Sequence, residues 1–175
     1  MRSLMLVALA GGLASAALPP REAAAADGRS FERELLELHN EERARVGAPA
    51  LAWDAGLAAE AEAYARRLAR RGRGLVHSIR DDRDGQGENL WMGTAGFYPA
   101  AMMFDSWAQE KRLFRPGVFP NVSRRGVAWP EVGHYTQIVW SGTDRVGCGV
   151  HRGGGWDYLV CRYSPAGNVM GQAVP

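Results

Sequence analysis

Apolar residues recur at helical spacing through the first half of the chain and alternate with other residues in the last third. Phe31, Leu35, Leu38 and Val46 predict a first helix, capped at Ser30 and stopped by Gly47-Ala48-Pro49. Leu57, Ala61, Tyr64, Ala65 and Leu68 mark the buried face of a second, with Asp54 as its cap. Glu60, Glu62, Arg66 and Arg67 cover its other side, and the arginine-rich run Arg66 to Arg73 reads as a solvated helix end. Gly72 and Gly74 break it, and the stretch from Gly74 to Gly96 reads as loop. Pro99 suits the first turn of a third helix, in which Met103, Trp107 and Glu110 share one face. Strands are expected at Tyr135 to Trp140, Arg145 to His151 and Asp157 to Tyr163, before a closing turn at Ser164 to Asn168. Helices followed by strands predict an α+β fold, with an antiparallel sheet covered by helices.

The N-terminus adds an address. A basic start at Arg2, an apolar run from Leu4 to Leu13 and the small residues Ala14-Ser15-Ala16 read as a secretory signal peptide. The run is shorter than the ~20 residues of a spanning helix, so cleavage is favoured over a retained anchor. Pro19-Pro20 and Ala23 to Ala26 read as a linker. Residues 1–26 are therefore assigned to leader and linker and residues 27–175 to one domain, secreted or periplasmic and monomeric, with no membrane span after cleavage. A domain of this size needs neither metal nor disulfide to fold. A net charge of +2 gives no reason to expect nucleic acid or an anionic membrane as a partner. Lysine occurs once, at Lys111, against a large excess of arginine, a bias that points to a bacterial source.

Two cysteines, Cys148 and Cys161, fall on the last two expected strands, with Gly153-Gly154-Gly155 between them as a turn. In an exported chain such a pair reads as a disulfide across a hairpin; two buried free thiols are the alternative. The short loop limits its stabilisation to ~3 kcal/mol.

Four ionisable residues sit among apolar residues and glycines: His77, Glu88, Glu110 and His134. Each alone is more often a surface or satisfied core group than a functional one. Their surroundings are more specific. His39-Asn40-Glu41-Glu42-Arg43, Leu51-Ala52-Trp53-Asp54, His77-Ser78, Gly87-Glu88-Asn89-Leu90, Trp107 with Glu110, Gly133-His134-Tyr135-Thr136-Gln137 and Cys161-Arg162-Tyr163-Ser164-Pro165 follow one another along the chain. In content and order they resemble the CAP superfamily of cysteine-rich secretory proteins, antigen 5 and plant pathogenesis-related proteins of class 1.

The resemblance implies an α-β-α sandwich with a central antiparallel sheet. It implies that His77, Glu88, Glu110 and His134 line one cleft, in which the two histidines hold a divalent metal such as zinc. Imidazole nitrogen suits zinc, and a carboxylate can orient the ring. Two protein ligands imply weak binding, lost as imidazole protonates below about pH 6. Three readings of the cleft follow. In the first it binds an apolar or lipid ligand, such as a sterol, or an extracellular protein. In the second the four residues are a structural polar network. The third is a metal-dependent or serine-type peptidase, with Ser78, Glu88 and Glu110 as catalytic candidates; against it, adjacent residues of an extended chain point to opposite sides, which separates Ser78 from His77. Binding ranks first and hydrolysis last.

Overall fold

The computed structural model describes residues 20–175, apart from residue 73 and residues 80–82, with side chains described from residue 30 onward. The residues read as a signal peptide and Arg73 lie outside the described residues.

Helix α1 spans Pro20–Arg45 and β1 spans Ala52–Trp53. Helix α2, Ala55–Arg71, leads through a loop to β2, Gly87–Thr94. Helix α3, Ala100–Ala108, tightens into a 3-10 turn over Gln109–Arg112. After β3 (Gly117–Val118) and a second 3-10 turn (Trp129–Val132) come α4 (Gly133–Ile138), β4 (Arg145–Gly153), β5 (Trp156–Ser164) and β6 (Ala173–Val174).

The main sheet has the order β1-β4-β5-β2. Its three long strands are antiparallel, as expected, but the short edge strand β1 runs parallel to β4, so the sheet is mixed. Helix α2 covers one face, where Ala61, Tyr64, Ala65 and Leu68 pack on Leu90, Tyr158 and Val160. The opposite face carries Val146, Cys148, Leu159, Cys161 and Tyr163, which meet Leu35 of α1, Phe104 and Trp107 of α3, and Tyr135 and Ile138 of α4. The period-two alternation of β5 thus feeds two cores, and the α-β-α sandwich follows. The hairpin holds as expected: Cys148 and Cys161 face each other in register and form the disulfide, with Cα atoms 4.1 Å apart. On the α2 side β4 presents Gly147 and Gly149. A Cβ there would lie 2.2 Å from Ala58 N and 2.4 Å from Glu62 N, so α2 sits on bare strand backbone.

Helix α2 keeps its expected ends. The Asp54 carboxylate accepts from Leu57 N at 3.0 Å, and Gly72 closes it in the left-handed region at φ 60°. Other elements differ. Helix α1 begins ten residues before Ser30, so it takes in most of the stretch expected as linker. The alanine run is a strong helix former, and a proline at the first helical position starts a helix rather than preventing one. Helix α3 begins after Pro99 and stops at Ala108, so Glu110 lies on the 3-10 turn rather than the α-helix. Strand β2 occupies the expected loop around Glu88, and the expected strand from Tyr135 is instead α4. Tyr135, Thr136, Gln137 and Ile138 are all buried, so this short helix has no polar face to betray its period.

Candidate functional site

The four residues come from four settings: His77 from the loop after α2, Glu88 from β2, Glu110 from the 3-10 turn after α3, and His134 from the first turn of α4. They form two histidine–glutamate pairs. His77 Nδ1 lies 2.7 Å from Glu88 Oε1, and His134 Nδ1 lies 2.6 Å from Glu110 Oε1. A carboxylate only accepts, so each Nδ1 is the donor and the neutral ring keeps its lone pair on Nε2. Neither Nε2 has a hydrogen-bond partner among the described residues. The Trp107 ring stacks on His134 with centroids 5.8 Å apart, and its Nε1 donates to Leu90 O.

Each glutamate also has structural duties. Glu110 Oε2 accepts from the backbone N–H groups of His134 and Tyr135 at 2.9 and 3.0 Å, so it caps α4 while orienting His134. Glu88 is buried and fully engaged: Oε1 also accepts from Ser78 N, and Oε2 accepts from Ser78 Oγ and pairs with Arg162 Nη2 at 3.1 Å. Burial pushes its carboxyl upward, but the His77 hydrogen bond, the Arg162 charge and the Ser78 bonds outweigh this and hold it below the ordinary glutamate value. Ser78 Oγ is 2.9 Å from Glu88 and makes no bond to His77, so serine and histidine are both partners of one carboxylate rather than a relay.

His77, Glu88 and His134 line an open cleft of ≈ 860 Å³, of a size suited to a small-molecule ligand. Its polar wall includes Asn89 and Gln137; Phe119, Trp129, Val169 and Met170 supply an apolar one. Glu110 reaches it only through His134. Gln137 is wedged between Gly87 and Gly167, where any Cβ would collide with it. Behind the cleft runs a buried chain. Asn89 Nδ2 donates to His134 O and to the Tyr163 hydroxyl, which donates to His39 Nε2 at 2.8 Å, while His39 Nδ1 donates to Leu35 O. His39 also lies close to Cys148 and Cys161, a grouping with the composition of a metal site. The two sulfurs are bonded to each other and both His39 nitrogens are taken, so that group has no free donor.

The profile of the cysteine-rich secretory protein (CAP) family matches residues 36–163, most of the chain. The chain belongs to this family. Pathogenesis-related protein 1B of Nicotiana tabacum is 39% identical over 147 residues, which cover 83% of this chain and 81% of that protein. Secreted protein RBT4 of Candida albicans is 35% identical over 81% of this chain and 36% of its own. A crystal structure of NaASP2 with Zn2+ superposes with a TM-score of 0.64 at 30% identity, covering 82% of this chain and 83% of that one. The structure of BmVAL-1, at 21% identity and a TM-score of 0.68, shares the fold. These relatives lend no support to the bacterial source read from composition.

Within this CAP domain, three of the four residues expected to line the cleft do so, Glu110 stands behind His134, and the pairing of the four was not read from the sequence. Sequence reasoning also passed over Arg162 and Arg43. Arg162 lay in a matched segment, yet only the fold shows that it meets Glu88. Arg43 is fully buried, and its guanidinium donates to the carbonyls of Pro49, Ile138, Trp140 and Thr143. It holds the C-terminal end of α4, opposite the Glu110 cap, so the short helix that carries His134 has an anion at its start and a cation at its end.

Proposed function

We propose that this CAP protein is an exported binding protein whose cleft receives an apolar or lipid ligand, or an extracellular partner, beside a divalent metal held by His77 and His134. One observation carries the reading: two imidazoles, each fixed at Nδ1 by a carboxylate, leave bare Nε2 atoms in a cleft with an apolar wall. Both rings fit a metal of the zinc type, since carboxylate-bound imidazole is an oriented and more basic ligand. Such an ion would supply a Lewis-acid centre; Glu88 and Glu110 would hold the two rings in place. That the similar protein NaASP2 was crystallised with Zn2+ supports a metal on this fold. Export is supported by the leader sequence, by the family description and by the name of the fungal relative.

A second reading, in which the four residues are purely structural, draws on the Glu110 cap and the saturated Glu88. The two differ in whether anything enters the cleft. Fluorescence titration with cis-parinaric acid separates them. Saturable binding is expected, weakened roughly tenfold or more when a charge enters the apolar wall in Met170→Asp. Met170 is 64% exposed, so that change should leave the fold intact. No saturable signal, or equal affinity in the variant, would favour the structural reading.

A further inference from the structure

The loop between α2 and β2 carries a second feature, apart from what the cleft holds. Leu75, Val76 and Ile79 are 39%, 50% and 69% exposed, three large apolar side chains within five residues. Single exposed apolar residues are ordinary, but a cluster calls for a partner. Beside it stands the end of α2. Arg66, Arg67, Arg70 and Arg71 occupy its solvent face. Arg66 is paired with Glu62 at 2.7 Å, whereas Arg67, Arg70 and Arg71 meet no carboxylate among the described residues. Cations at a helix C-terminus answer the dipole, which explains one or two of them and none of the apolar cluster.

Contacts join the two halves into one patch. The Tyr64 hydroxyl donates to Val76 O at 2.6 Å, which ties the loop to α2. The Arg67 guanidinium lies 5.8 Å from the Tyr64 ring centroid, and Arg71 is near enough to act on the same phenol. Guanidiniums that meet no carboxylate among the described residues therefore flank a loop that offers bare aliphatic side chains to solvent. Phosphates of an anionic bilayer complement the first and the acyl boundary the second. No helix among the described residues is long and apolar enough to cross a membrane. His77 lies in this same loop and lines the cleft, so docking would bring the cleft to the lipid surface. We infer that the end of α2 and the 74–79 loop form a docking surface for an anionic lipid bilayer.

Co-sedimentation with vesicles tests this. The mature chain should bind phosphatidylcholine vesicles containing about one-third phosphatidylglycerol at least tenfold better than pure phosphatidylcholine, and should release from them at about 0.5 M salt. Arg67→Gln/Arg71→Gln should weaken binding by roughly tenfold or more, since each cation near the surface is worth about fivefold. Val76→Ser/Ile79→Ser should do the same through lost insertion. Both pairs are surface changes, so thermal melts should match wild type. No preference for anionic vesicles would overturn the inference. So would a loss in the arginine pair with none in the aliphatic pair, the mark of a surface for soluble polyanions. The cis-parinaric acid titration is read without vesicles, so failure here leaves the reading of the cleft standing.

Discussion

Replacing Arg43 with methionine is expected to lower the unfolding free energy by about 4 kcal/mol, a large share of what a domain of this size possesses. Methionine restores much of the volume but no donor. Trp140 O keeps the Thr143 amide as a second partner, so the loss falls on the carbonyls of Pro49, Ile138 and Thr143. Each buried acceptor left bare costs about 1–3 kcal/mol. The guanidinium is itself held at a cost: burial lowers its pKa to about 10, which still leaves it charged at neutral pH. Arg43→Lys keeps a charge but not the planar fork, and should fall between the two. Urea unfolding of the three proteins measures the difference. A methionine variant within about 1 kcal/mol of wild type would show that the carbonyls find other donors.

The second large effect is acid sensitivity centred on His39. This ring is fully buried, and burial lowers its pKa to about 4, against the hydrogen bond to Leu35 O that would raise it and in concert with the nearby Arg43 charge. An unfolded chain protonates the same ring near 6.5. Between those values the unfolded state binds more protons, so stability falls as pH drops from about 6.5 to 4 and this contribution is complete only above that window. The loss amounts to about 3 kcal/mol. Glu88, whose carboxyl is held below its ordinary value, adds a loss of the same sign at lower pH, as that group takes its proton. Denaturant melts at about pH 7 and pH 4 should show wild type losing about 3 kcal/mol more than His39→Gln. Equal losses would place the acid sensitivity elsewhere. Because Tyr163 and Asn89 link His39 to the backbone of His134, acid should loosen the back of the cleft as well as the core.

Elements with strong local signals were legible in the sequence. Helix α2 announced both caps and its buried stripe, and the β4–β5 hairpin announced its turn and its disulfide. Elements without such signals were not. Strand β2 carries buried Glu88 and Asn89 in place of an apolar alternation, and they are tolerated there because Arg162, Ser78, His77 and Tyr163 satisfy them. Helix α4 is six residues long and held by charges far away in sequence, Glu110 and Arg43, so no local signal specifies it. The cleft residues were legible through resemblance alone, and their pairing needed the fold: residues separated by 11 and by 24 positions meet only once β2 and α4 are in place. The arginine-rich helix end, read from sequence as merely solvated, changes meaning once the bare loop beside it is seen.

The central claim is that His77 and His134 present open nitrogens to a metal. Isothermal titration calorimetry with zinc tests it on the wild type, on each single alanine variant and on His77→Ala/His134→Ala. One weak site is expected in the wild type, at least a tenfold loss in each single variant and no resolvable heat in the double variant. Equal heats in the wild type and the double variant would contradict it.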